Sequence, residues 1–216
     1  MPTRIFFYLA MAGTCVAVLA VLYSALRYRG RAGERYSPLN HFISELGEAG
    51  VSRGAWAFNG GLVLTGLLLM PFVVHLGIVL GSVLGWIGAF FAAVAALGAA
   101  AVGIFPMNNL KPHVRAAMTF FYGGLAMVLT IGVAVLVQPA GRAVVHRFAS
   151  LLSLLPALAF GSFLAQPRIV APGVDLVSLL DPQITPERPR FWALPFMEWL
   201  VFFTTIFWLF SMAFFA

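Results

Sequence analysis

Apolar residues in this chain come in long unbroken runs rather than alternating with polar ones. Six runs stand out, at about 5–26, 55–76, 79–105, 113–137, 144–165 and 191–215. As an α-helix rising about 1.5 Å per residue, each reaches roughly 30 Å, the thickness of a bilayer's hydrocarbon core. In lipid the backbone must satisfy its own hydrogen bonds, so helices are the expected form. Runs without alternation exclude a β-barrel. The pattern predicts an all-α fold: a polytopic integral membrane protein, one six-span domain over residues 1–216, with a structured polar loop after the first helix.

Turn residues punctuate the runs. A very short turn near Gly77 separates the second and third spans. Pro106 and Asn108-Asn109 end the third, and Pro112 precedes the fourth. Pro139, Gly141 and Arg142 make the next turn, and Pro156 predicts a kink in the fifth span. Residues 166–190 form a proline-rich loop whose LVSLL core predicts a short interfacial helix. Gly81, Gly85, Ala89 and Ala93 make a small-residue stripe in the third span, read as ordinary close packing of the bundle. The first run is longer than a signal-peptide core and no A-x-A-like site follows it, so it reads as a retained helix.

The exception to the apolar pattern is Ser37 to Asn59, SPLNHFISELGEAGVSRGAWAFN, which gathers a His, two acids, an Arg and two Asn between apolar spans. Ser37-Pro38 predicts a helix start, with Ser as N-cap and Pro at the first position, and Gly47 a stop. His41, Ser44 and Glu45 then share one face.

Composition agrees. The chain is 62% hydrophobic and 9% charged, where a soluble domain carries about 25% charged residues. Cys15, the one cysteine, lies in the first run, can form no intrachain disulfide, and is expected to be inert. The +6 charge falls mostly in loops, where it reports topology and anionic headgroups. Scattered basic residues without a motif give no reason to expect nucleic acid.

Six crossings place the loops after spans one, three and five on one face. Near it lie the 37–59 stretch, Asn59, His113, Arg115 and Glu198. Glu198 sits within PFMEWLVFF, where a carboxylate is expensive in lipid and marks a functional site by default. Its expected partners are Arg115, His113, Arg53 or Asn59. That face carries ten Lys and Arg against three on the other, which by the positive-inside rule puts it in the cytoplasm.

ISELG at 43–47, Asn59-Gly60, IFP at 104–106 and H-x-x-x-A at 113–117 resemble a bacterial and archaeal membrane family known as domain of unknown function 998. In the same order, Ser44, Glu45, Gly47, Asn59, His113, Glu198 and Trp199 resemble motifs of the eukaryotic DRAM/Frag/Sfk-type proteins, with Glu45 where those have Asp and Leu46 where they have Thr. The resemblance implies a membrane-lipid process in a prokaryotic plasma membrane. It also places the first loop on the outer side, opposite to the charge count.

The candidate catalytic residues are His113, Glu45, Ser44 and Glu198. His113 near a carboxylate reads as a general base, or as a helix-start His holding the loop down. Ser44 reads as a nucleophile, though no G-x-S-x-G surrounds it, or as a backbone-bonding hydroxyl. His41, Glu45, His113 and Glu198 could together hold a divalent metal, but no metal-ligand spacing backs this. No cofactor is implied. Glu198 with Arg115 reads as a buried ion pair. The candidate ligand-binding residues are His41, Asn59, Arg53, Arg115 and Trp199. Trp192, Trp199 and Trp208 suit lipid contact and interface anchoring, while His75 and His146 fall on the far face. Three functions fit: handling of a membrane lipid, a non-catalytic scaffold for a protein partner, or a small proton-coupled transporter. No inverted repeat supports the last.

Overall fold

The computed structural model describes residues 2–139, 141, 143–170, 177 and 188–215. The elements are α1 (Pro2–Arg27), a 3-10 turn (Ile43–Gly47), α2 (Ala55–Leu80), α3 (Val83–Ile104), α4 (Leu110–Leu136), α5 (Phe148–Leu152), α6 (Leu154–Val170) and α7 (Ala193–Phe215). No strand occurs among the described residues. Six helical segments are long and apolar enough to cross a membrane, with α5 and α6 together forming the fifth. Each helix packs on the next in the order α1, α2, α3, α4, α6, α7, and α7 returns to α1, so the spans close into a ring.

Small residues set the spacing within this ring. A methyl added at Gly98 would come within 2.5 Å of the Phe120 backbone nitrogen, so α3 and α4 touch backbone to backbone there. The stripe expected in α3 is only partly of this kind. Ala89 does meet Gly77 of α2, but Gly81 lies before α3. Gly81 ends α2 in the left-handed conformation, φ 57°, and Ser82 Oγ then caps α3 by accepting from the Gly85 N–H at 3.0 Å. The turn therefore falls at Gly81-Ser82. Gly77 stays within α2, its carbonyl accepting from the Gly81 N–H, and its missing side chain lets Trp86 and Ala89 pack close.

The fifth crossing breaks at Ser153 instead of kinking at Pro156. Pro156 sits in the first turn of α6, where a missing N–H leaves no helical bond unmade. Two tryptophans assigned to lipid are interior. Trp208 is 1% exposed and Trp199 5%. Their indole N–H groups donate inward, to Ser153 Oγ at 2.8 Å and to the Tyr36 hydroxyl at 2.9 Å, which offsets the burial of a polar atom. The interfacial helix expected at 176–180 lies outside the described residues, Val177 excepted.

Candidate functional site

No helix starts at Ser37. Its carbonyl accepts from the Asn40 and His41 N–H groups at 3.2 and 2.9 Å, closing a tight turn. The chain becomes helical only at Ile43, so His41 precedes the 3-10 turn and Gly47 ends it from within. The Glu45 side chain starts this turn by accepting from the Phe42 N–H at 2.9 Å. The same carboxylate takes a two-pronged pair from Arg188, at 2.9 and 2.7 Å, and the Tyr28 hydroxyl at 3.3 Å. Glu45 is thus saturated. Burial pulls the Arg188 guanidinium down, but its bonds to Glu45 outweigh this and leave it above its ordinary pKa.

The loop after α1 is tied to α2, to the turn between α3 and α4 and to the segment leading into α7, and forms a polar cap on the bundle. Arg31 pairs with Glu48. Asn108 exchanges two hydrogen bonds with the Ala49 backbone, at 2.7 and 2.9 Å. Asn59 donates to the Gly47 carbonyl at 2.9 Å. Asn40 donates to the Pro189 carbonyl at 3.0 Å, and the Trp192 N–H donates to Leu39 at 2.8 Å. Tyr36 donates to the carbonyls of His41 and Phe42 at 3.2 and 3.0 Å. Burial, then the nearby Glu45 and Glu198 carboxyls respectively, raise the Tyr28 and Tyr36 hydroxyls, so both remain donors. Burial lowers His41, whose Nε2 has no hydrogen-bond partner among the described residues.

Glu198 is placed differently. It finds none of its expected partners. Its Oε2 accepts from the Ile43 N–H at 2.6 Å, one of the free donors at the start of the 3-10 turn. Arg115 and Arg53 are exposed. Helical phase explains Arg115: His113, Val114 and Ala117 turn inward, and Arg115 between them turns out. The expected Glu198–Arg115 ion pair does not form.

Glu198 instead lines an unsealed, almost wholly apolar cavity of about 150 Å³ inside the helix ring. Its walls include Phe58 and Leu62 of α2, Ala95 and Ala99 of α3, and Phe202 and Thr205 of α7. Glu198 and Ser44 stand at its cap end. Both also border a second cavity of about 20 Å³, together with His113. The structure therefore brings Ser44, His113 and Glu198 around one small space. His113 Nδ1 lies 2.8 Å from the Phe105 carbonyl at the end of α3. A carbonyl only accepts, so this nitrogen donates and Nε2 is left as an acceptor. Ser44 Oγ donates to the Met107 sulfur at 3.4 Å, neither to a base nor to backbone. Among the described residues no three His, Cys, Asp or Glu side chains gather as a metal site, so His41, Glu45, His113 and Glu198 do not form the grouping considered from sequence.

Sequence reasoning missed Arg188, Tyr28 and Tyr36 as parts of the cap. In sequence Arg188 reads only as a loop charge. Its position five residues before α7, in a loop facing an acid-bearing loop, was the available signal.

No curated protein and no solved structure matches the chain significantly, so the likeness to DRAM/Frag/Sfk-type proteins rests on its few shared residues alone. A family profile does match, that of "Protein of unknown function (DUF998)", over residues 11–214. That match reaches all six spans, omitting only the start of α1, and takes in the cap and both cavities, and the chain belongs to the DUF998 family.

Proposed function

We propose that the protein binds a membrane lipid, drawing the apolar end of the molecule into the cavity between the spans and holding its polar group at Glu198. The observation that carries this reading is the cavity itself. A cavity of about 150 Å³ lined by apolar side chains stays dry and can bind a molecule the size of benzene. Here a carboxyl and a hydroxyl stand at one end of such a space, which is the layout an amphiphile needs. Binding is favoured over bond cleavage because the Ser44 hydroxyl meets a thioether. The cap suits the cytoplasmic side of a prokaryotic plasma membrane. With Arg31 and Arg188 set aside as partners of Glu48 and Glu45, its face is still the more basic one.

The test is native mass spectrometry of protein purified in mild detergent, wild type beside Ala99→Phe, which fills the cavity. A lipid that co-purifies with wild type and is lost from the variant supports the reading. Equal lipid on both, or none on either, overturns it.

The scaffold reading has its own support. Glu45 is fully satisfied, and the cap is locked to three other segments through Arg188, Asn108 and Asn59, as a docking platform for a protein partner would be. It predicts a normal complex with that partner from the Ala99→Phe protein.

A further inference from the structure

Resting on that reading, we infer that the site selects an uncharged lipid carrying a hydroxyl group and turns away fatty acids and phosphate-headed lipids. Among the described residues no Lys, Arg or His lines the larger cavity. Its polar side chains are Ser44, Thr65, Thr205 and Glu198. An anionic group brought there would lose its water, find no counter-charge and meet a carboxyl. The cations that could have served it are elsewhere: Arg188 is held by Glu45, and Arg53 and Arg115 face outward.

The hydrogen-bonding sense at the cap end points the same way. Glu198 presents carboxyl oxygens, and His113 borders the adjoining small cavity with its Nδ1 donating to Phe105, which leaves the Nε2 of the neutral ring an acceptor. Ser44 has only a thioether to donate to, a weak acceptor that a better one would displace. A group that both donates and accepts complements this set. A hydroxyl does both, whereas a carboxylate or phosphate diester only accepts and an ammonium only donates. Deeper in, Thr205 Oγ1 is buried without a partner among the described residues. It lies on the Glu198 face of α7, two turns or about 10 Å along the helix axis. In the same protein Thr14, Thr119, Thr130, Thr204 and Ser211 all donate to the carbonyl four residues back. Thr205 is thus free to meet a second polar atom or an unsaturated carbon of the occupant.

The experiment uses four ligands with one shared chain: oleyl alcohol, oleylamine, oleate and oleyl phosphate. Each is offered to the full-length protein in the same detergent, and retention is read by native mass spectrometry. Wild type is expected to hold oleyl alcohol at least about tenfold more tightly than the other three, a gap of about 1.4 kcal/mol. Glu198→Gln should narrow that gap, and Ala99→Phe or Thr205→Leu should abolish retention of the alcohol. Retention of the amine, carboxylate or phosphate as tightly as the alcohol, and lost on filling the cavity, overturns the selectivity while leaving lipid binding in place. Retention that no cavity-filling variant changes overturns lipid binding itself. If those variants fail to remain monodisperse, the ranking on wild type still decides the selectivity.

Discussion

Arg188 and Glu45, 143 residues apart in the chain, meet in a two-pronged ion pair at 2.9 and 2.7 Å. Removing one partner of a buried pair costs roughly 3–5 kcal/mol because the other charge is stranded. Arg188 keeps a third of its side chain exposed while Glu45 keeps 4%, so water screens the loss. Arg188→Ala is expected to cost nearer 1–2 kcal/mol, on the order of a weakened buried pair. Thermal unfolding in detergent measures it. Arg188→Gln with Glu45→Gln should be less damaging than Arg188→Ala, and equal damage would show that the stranded Glu45 charge is not the source of the cost.

His41 predicts a pH dependence. Burial lowers its pKa from the ordinary 6.5, so the folded protein favours the neutral ring. Below that value the unfolded chain binds the proton more readily than the folded one, and stability falls as pH falls. The contribution is fully present above pH 6.5 and is lost through the interval below it. The melting temperature should drop between neutral pH and pH 5, about the range of histidine titration, and His41→Gln should flatten that drop. A variant whose curve matches wild type would remove His41 from the explanation.

Gly47 is expected to tolerate no side chain. A methyl there would overlap Asn59 Oδ1 and crowd Phe58, whose ring is 2% exposed. Gly47→Ala should cost roughly 1–3 kcal/mol, the usual range for overpacking. Gly50→Ala tests a different cause, since φ 82° is strained for alanine while nothing lies nearby. It should cost about 1 kcal/mol. Yields of folded protein from the two variants give the comparison.

Thr205→Val should stabilise the empty protein. The shape is nearly kept and a buried hydroxyl without a described partner is removed, a gain of about 1 kcal/mol. A lower melting temperature for this variant would mean that the hydroxyl is bonded in the resting protein.

The six crossings were legible because twenty or so successive apolar residues permit little else in a bilayer. The face on which polar residues gather followed from counting crossings. What failed was pairing within that face. Glu198 looked as if it needed Arg115, yet the backbone N–H groups at Ile43 and Ser44 reach it first. Those donors are left free because the 3-10 turn begins at Ile43, a local geometry that spacing did not reveal. Trp199 and Trp208 look like interface residues in sequence, since tryptophan suits both lipid and interior. Their partners, Tyr36 and Ser153, lie 163 and 55 residues away and decide the matter. The cavity was invisible for a similar reason. It is space left where Ala95 and Ala99 face Phe202 and Thr205 across helices, and no single run records it.

The ties between residues 39–45 and 188–192 bear on how the chain is made. Synthesis runs from the N-terminus, so the first loop waits with Glu45 uncompensated until Arg188 has been made. The two segments are separated by four crossings, an even number, which is why they emerge on the same side of the bilayer. If one crossing failed to insert, Arg188 would be delivered to the opposite side and could never reach Glu45. The closing of the cap therefore registers the parity of insertion: an odd number of intervening crossings would leave the Glu45 carboxylate without its Arg188 partner.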